Sequence, residues 1–585
     1  MKGAGGRSAG GSPVRSMAGA SRLRAAGLAA ALLVAAAAPP AFAAAPGATG
    51  PTLGPLAAAA IALLYYLSYS PWLGGLDYYW LYRPLVGGFL VGLLLGQPVE
   101  GTIVGATINL AYLGFISAEG TLPGDPSLAG YLGTAIALTG HLAPAAALAV
   151  AVPVGLLGTF VWNLMMTANS AFVHRADAAA ARGDIAGLER AALFYPQAFL
   201  LLITAVPLFF AVWLGAGEVA RLLALVPAWV MAGLGAAGGM IAALGIGINM
   251  RAIVRGPAIG FFLAGFVLTE MLHWGLVPLA ILAGAAAWAY VAPRGSAGDA
   301  EAAGEAAVQD RARGPLRLTA GDVRRAWLRW FLFAQCSYSW ERMQGTGFAM
   351  AMVPVIRRLY PSAGARARAL ERHLQFFNTE QTWGAVIPGA AAALEEAGAG
   401  GAGGDAAAEA VTAVKSGLMG PFAGIGDTLD QGTVTPILLA FGIGLAKAGS
   451  LAGPILFMLL EGAWVVGVDY LSFMFGFHQG RSAIARVIAS GRLEDLTRGA
   501  GLLGSAVLGG LAATYVRLTT PVTLAVGTAR IALQADLLDK LLPGLLPLVL
   551  VLAVWAGLRR GLPPLALLLG LFAFGLLGAL TGLWA

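Results

Sequence analysis

Between Thr52 and Val291 the chain is a succession of apolar stretches, and this feature limits its fold more than any other. Leu56–Tyr69, Leu142–Val161, Ala198–Leu214, Leu222–Leu244 and Leu276–Tyr290 carry no charged residue. Neither do Leu502–Tyr515, Leu541–Leu558 and Leu565–Leu583 further on. A membrane-spanning helix needs about 20 apolar residues. Several of these stretches are shorter, or are cut by glycine and proline. Irregular backbone at membrane depth is tolerated only where protein buries it or where it lines a cavity. Short and interrupted spans therefore point to a transporter core. The expected fold is an all-α, polytopic integral membrane protein, with two helical modules containing re-entrant or broken helices.

Composition excludes the soluble classes. Of 585 residues 58% are hydrophobic and 11% charged, against about 25% charged in soluble domains. The net charge of +7 does not indicate a nucleic-acid binder, because the arginines cluster in short segments between apolar spans, as in cytoplasmic loops. Cys336 is the only cysteine, so no intrachain disulfide or cysteine-based metal site can form.

Residues 1–45 read as a signal-peptide-like segment or as an over-extended N-terminus. Arginine-bearing polar sequence leads into apolar Ala25–Ala38 and then Ala41-Phe42-Ala43, while Met17 offers a later start. The first module covers 52–292. Residues 293–319, polar and of mixed charge, form the expected cytoplasmic linker. The second module covers 320–585.

Few residues could carry chemistry. Gly101, Gly105 and Asn109 recur every four positions and share one helix face. Small residues at this spacing let helices approach closely. Asn109 is then either a substrate contact or an interhelical hydrogen bond. Glu119 and Asp125 fall where Gly and Pro interrupt an apolar region. Intramembrane carboxylates mark substrate paths, although a loop at the membrane edge would look similar. In the second module Gln344 opens an apolar helix and Asn378 precedes another. Leu418–Pro436 (LMGPFAGIGDTLDQGTVTP) places Asp427, Asp430 and Gln431 after a Gly/Pro-rich stretch. It is expected to break there, with backbone N–H groups converging near Asp427. No P-loop occurs, and no histidine pair has zinc-ligand spacing. His373, after the basic stretch Arg366–Arg372, is expected at the cytoplasmic surface. It is not expected to carry a phosphoryl group.

These stretches resemble a known family. RPLVGGFLVGLLLGQPVEGTIVGATINL and PGDPSLAGYLGTAIAL resemble the IIC membrane component of the mannose/fructose/sorbose phosphotransferase system. WERMQGTGFAMAMVPVIRRLY, HLQFFNT, VKSGLMGPFAGIGDTL and FGFHQG resemble its IID component. The chain would thus be a IIC–IID fusion. The resemblance implies an elevator-type unit in the bacterial inner membrane that binds a hexose and passes it to a soluble IIB component. IIB does the phosphorylation, supplied by IIA. The resemblance also implies a homotrimer in lipid; from composition and motifs, no cofactor, metal or nucleic acid is expected. The candidate sugar contacts are Asn109, Glu119, Asp125, Gln344, Asn378, Asp427 and Asp430. The sequence departs from the family pattern in three places. Asn109 replaces a usual glutamate, Glu380-Gln381 stands where His-Pro is usual, and Asp430-Gln431 replaces an aromatic pair. A regulator that kept the fold and lost transport is the alternative these departures leave open.

Overall fold

The computed structural model describes residues 53–584, apart from 113–123, 216–226, 255, 275, 292–316, 400–403, 491–492 and 527–528. Residues 1–45, Glu119 and most of the 293–319 linker therefore lie outside the described residues.

Among the described residues the chain is helical except for one small hairpin. In it, Thr523–Val526 runs antiparallel to Ala529–Ala532, with Thr523 opposite Ala532. Four helical runs are long and apolar enough to cross a membrane: Ala146–Ala180, Ile185–Leu214, Ala407–Lys447 and Ala452–Gly480. A further pair of helices, Leu533–Leu541 and Leu545–Arg559, is long and apolar enough only when taken together, and the two meet at 70°, as in a broken span or a re-entrant loop. Helix starts follow local chemistry. Pro55–Leu67, Pro84–Leu94, Pro98–Ala111, Pro126–Thr139 and Pro144–Ala180 each open on proline, whose fixed φ suits the first helical position and whose missing N–H is not needed there. Thr319 and Asp322 form a reciprocal capping box at the start of Ala320–Phe333.

Two half-length helices make the re-entrant feature of the first module. Pro84–Leu94 and Pro98–Ala111 fold against each other through glycine. A Cβ on Gly101 would lie 2.5 Å from Gly92 Cα and 2.6 Å from the Gly88 carbonyl oxygen. One on Gly105 would lie 2.5 Å from the Pro84 carbonyl oxygen. The four-residue periodicity is thus a backbone-to-backbone seam. Asn109 continues it, with its Oδ1 accepting the Leu85 N–H at 3.1 Å in the first turn of the facing helix. That is the interhelical alternative weighed for this residue.

The second module differs from expectation over Gly420–Thr433. The helix Gly404–Gly426 carries Pro421 inside it and does not break. The disturbance comes later, as a π-helical segment over Asp427–Val434, before α-helix resumes at Thr435–Lys447. Widening the helix keeps the backbone groups paired, whereas a break would leave them orphaned at membrane depth. π segments recur at functional sites.

The modules share one core. Phe262 and Phe266 of the first and Val507 and Leu511 of the second belong to the same buried cluster. Gly265 packs on the Ala506 carbonyl and Gly509 on that of Phe262, so these helices touch backbone to backbone. Polar pairs cross the interface as well. Arg329 meets Glu189 at 2.7 Å and Arg342 meets Asp177 at 3.1 Å. The apolar stretch expected to end at Val161 continues as helix to Ala180, which brings Asp177 to this interface.

Candidate functional site

Three local devices converge between the modules. The first is the short π turn Asp77–Leu81, which carries Tyr78 and Tyr79 on successive positions. The second is a pair of loops joined edge to edge. Gln344 N–H donates to the Phe377 carbonyl at 2.8 Å and Phe377 N–H to the Arg342 carbonyl at 3.3 Å. This junction holds Met343 at a φ of 48°, a left-handed conformation that is uncommon outside glycine. The Gln344 side chain then accepts the Thr379 N–H at 3.0 Å. The third device is the π segment carrying Asp427 and Gln431.

Together they line a cavity of about 50 Å³. Tyr78, Tyr79 and Trp162 line it from the first module. Gln335, Tyr338, Gln344, Asn378, Thr379, Glu380, Gln381, Asp427 and Gln431 line it from the second. Several bonds tie the lining together across the module boundary. Tyr78 Oη donates to Gln431 Oε1 at 2.8 Å and Tyr79 Oη to Glu380 Oε1 at 2.9 Å. Within the second module, Gln431 Nε2 donates to Asp427 Oδ1 at 2.8 Å and Tyr338 Oη to Asn378 Oδ1 at 2.6 Å. Such a lining offers hydrogen-bond donors and acceptors beside aromatic rings. It suits a neutral, polyhydroxylated ligand of small size.

Three of the seven candidate residues, Gln344, Asn378 and Asp427, line this cavity. Asp427 caps no helix, and its carboxylate is held by Gln431 one turn on. Asp430 sits outside the lining, accepting the indole N–H groups of Trp383 and Trp464 at 3.0 and 2.9 Å. Asn109 and Asp125 are elsewhere. Asp125 is the N-cap of Pro126–Thr139, accepting the Leu128 N–H at 2.8 Å and the Tyr65 hydroxyl at 2.7 Å. Its carboxylate is fully satisfied within the first module. Glu119 lies outside the described residues.

His373 corrects a further expectation. It is fully buried, not at the cytoplasmic surface, with its Nε2 3.0 Å from Glu395 and its ring stacked on Phe348. Amphipathicity explains this. In Ala363–Leu374 Arg368 faces out, while His373 falls on the buried face that carries Leu370 and Leu374.

Sequence reasoning missed Tyr78, Tyr79, Trp162, Gln335 and Tyr338 as lining residues. It placed Gln431 in the polar cluster beside Asp427, and singled out Glu380 and Gln381 as departures from a family pattern. A tyrosine in an apolar chain reads the same whether it faces lipid, core or cavity. The available signal was the doubled tyrosine following Gly74-Gly75, whose positive φ angles of 65° and 70° turn the chain there.

An all-α, multi-pass membrane architecture with a polar, aromatic cavity between two modules defines a helical transport component. Residues 317–584 match the family described as PTS system mannose/fructose/sorbose family IID component, and residues 55–289 match PTS system sorbose-specific IIC component. The mannose-specific EIID component of Escherichia coli K12 is 40% identical over 273 residues, covering 46% of this chain and 95% of that protein. The fructose permease IID component of Bacillus subtilis is 36% identical, covering 46% and 98%. The E. coli K12 mannose-specific EIIC component is 30% identical over 204 residues, covering 34% and 76%. A cryo-EM structure of the mannose transporter ManYZ with microcin E492 shares 39% identity over 46% of this chain and 100% of that chain, with a TM-score of 0.43. The protein belongs to the mannose/fructose/sorbose phosphotransferase family, as a membrane component that joins IIC and IID in one chain.

Proposed function

We propose that this chain is the sugar-translocating unit of a phosphoenolpyruvate-dependent phosphotransferase system in a bacterial inner membrane. It binds a hexose in the cavity between its modules, 52–292 and 320–585, which a cytoplasmic linker over 293–319 connects. An elevator-like movement then presents the sugar to a soluble IIB component, which phosphorylates it after being charged by IIA. The working form is a homotrimer in lipid. The chain supplies translocation, and its partners supply the phosphoryl chemistry.

One observation carries this reading: aromatic side chains of one module and amides and carboxylates of the other meet around a single cavity. Carboxylate and amide oxygens accept from sugar hydroxyls, amide N–H groups donate to them, and rings cover the apolar faces of the sugar. The sealing of His373 against Glu395 supports assigning phosphoryl transfer to a partner, because a buried imidazole cannot meet a donor protein.

Uptake by vesicles containing the full chain is the test. Phosphoenolpyruvate-driven accumulation of sugar phosphate is expected only when IIA and IIB are both added. Sugar binding without uptake, in the presence of both partners, would replace transport with a receptor or regulator.

A further inference from the structure

Behind the cavity wall, one hydroxyl serves two acids. Thr382 Oγ1 lies 2.8 Å from Glu380 Oε2 and also makes a short hydrogen-bond contact with Asp430 Oδ2. All three residues are buried, with 5% or less of their surface exposed. A threonine hydroxyl has one proton to donate, so it cannot satisfy two ionised carboxylates. One carboxyl must itself donate to Oγ1.

The surrounding donors show which one. Glu380 Oε1 accepts from Tyr79 Oη and Thr382 N–H, both at 2.9 Å, and Oε2 accepts the Trp383 N–H at 2.8 Å. Asp430 Oδ1 accepts two indole N–H groups. Only Asp430 Oδ2 faces no N–H donor. The chain therefore runs from Asp430 Oδ2–H to Thr382 Oγ1, and from Thr382 Oγ1–H to Glu380 Oε2. The donors around the pair are hydroxyl, indole and amide groups, and none is a cation. The charged groups nearby are the acids Glu461 and Asp469 of Ala452–Ser490, within Coulombic reach, Asp427, three residues from Asp430 on the same segment, and one cation, Arg83, which acts on Glu461 and lies over the Tyr78 ring.

We propose that Asp430, Thr382 and Glu380 form a binding site for one proton, held on Asp430 Oδ2 and linked to sugar binding through Glu380. The link rests on the sugar-binding reading of the cavity, while the proton site does not. Releasing the proton to water leaves two carboxylates on one hydroxyl among further acids. Repulsion then drives Glu380 from Tyr79, and the contact it makes between the modules is lost.

The test uses the full chain in lipid nanodiscs, with two readouts. Infrared difference spectra should show a protonated-carboxyl C=O band that vanishes as the pH is raised and is absent from Asp430→Asn. Hexose affinity of the native protein should fall about tenfold over the same rise, within the usual range of coupling between linked sites. Asp430→Asn places an amide donor against Thr382 Oγ1, so it should bind sugar with a flat pH profile. Thr382→Ser should restore the native profile, and Thr382→Val should abolish the pH dependence. Glu380→Gln should lose affinity at every pH, because each carboxylate oxygen accepts a backbone N–H, from Thr382 or from Trp383, so an amide NH₂ at either place sets a donor against a donor. A carboxyl band unchanged in Asp430→Asn, or an Asp430→Asn variant that keeps the native pH profile, would overturn the proposal. A band that behaves as expected in a protein that binds no hexose at any pH would overturn the link and the sugar reading, and leave the proton site supported.

Discussion

Asp427 and Asn109 are both buried polar side chains on glycine-rich helices, and their partners separate their roles. Asp427 is held by Gln431, itself a lining residue, and faces a cavity. Asn109 is spent on a backbone N–H of a neighbouring helix. Asp427→Asn keeps the shape and removes the charge. The variant is expected to assemble normally and lose about tenfold or more in hexose affinity, since hydrogen bonds to charged groups are worth about 1.5–3 kcal/mol. Asn109→Leu orphans the Leu85 N–H and should lower stability by about 1–3 kcal/mol, with the hexose affinity of the folded fraction unchanged. Calorimetric titration beside thermal unfolding distinguishes the two. Retention of full affinity by Asp427→Asn would remove that residue from the site.

Elements are held by contacts with little slack. The Gly88/Gly92 face meets the Gly101/Gly105 face with backbone atoms where a methyl would sit. Gly101→Ala should therefore force the hairpin apart at a cost of about 1–3 kcal/mol or more, seen as a lower unfolding temperature in detergent. A second group of elements is tied by charge. Glu395 of Val386–Gly398 accepts from Arg372 through Nε and an Nη at 2.9 Å and from Tyr360 Oη at 2.5 Å, with His373 Nε2 at 3.0 Å. Lys415 donates to the carbonyls of Arg372 and His373 at 3.2 and 3.1 Å. Burial lowers His373 from 6.5 to about 4, outweighing the pull of Glu395 in the other direction. Burial by itself would raise Glu395, but His373, Arg372 and Tyr360 hold it at about 2, below its usual 4.5. Both shifts have the same consequence. Between pH 6.5 and 4 the unfolded chain binds a proton at His373 that the folded chain refuses. Below pH 4.5, towards 2, the same holds for Glu395. Stability should thus fall on acidification from about pH 6.5, and His373→Gln should flatten the upper part of that curve. An unfolding temperature independent of pH over this window would refute the assignment. Removing the acid altogether, as Glu395→Ala, should cost about 3–5 kcal/mol by leaving buried partners uncompensated.

For the whole molecule, the question is whether two modules need one chain. Their shared core and the close crossing at Gly265 and Gly509 are properties of surfaces, not of a connection. Residues 1–292 and 320–585 expressed as separate chains are expected to co-purify. Glu189→Arg removes the partner of Arg329 and Arg357 and should weaken the association of the halves by about 1 kcal/mol, the scale for partly exposed pairs. Failure of the wild-type halves to associate would mean that the linker acts as more than a tether.

The apolar stretches, and the polar run between two groups of them, pointed from sequence alone to a helical, membrane-embedded chain of two modules. These signals are local, because a span must satisfy its backbone within itself wherever it lies. The spacing of Gly101, Gly105 and Asn109 likewise announced a helix seam, since that contact repeats with the helix. The cavity was less legible. Gln344, Asn378 and Asp427 stood out because polar residues in an apolar run are costly and need a reason. Asp125 stood out for the same cause and proved to be a cap, because cost alone does not say which partner meets it. Tyr79 and Glu380 are 301 positions apart, and His373 cannot be told from the arginines around it until its helix is packed. Only tertiary structure could decide these cases, because a side chain's role here depends on what faces it, and those partners come from distant parts of the chain.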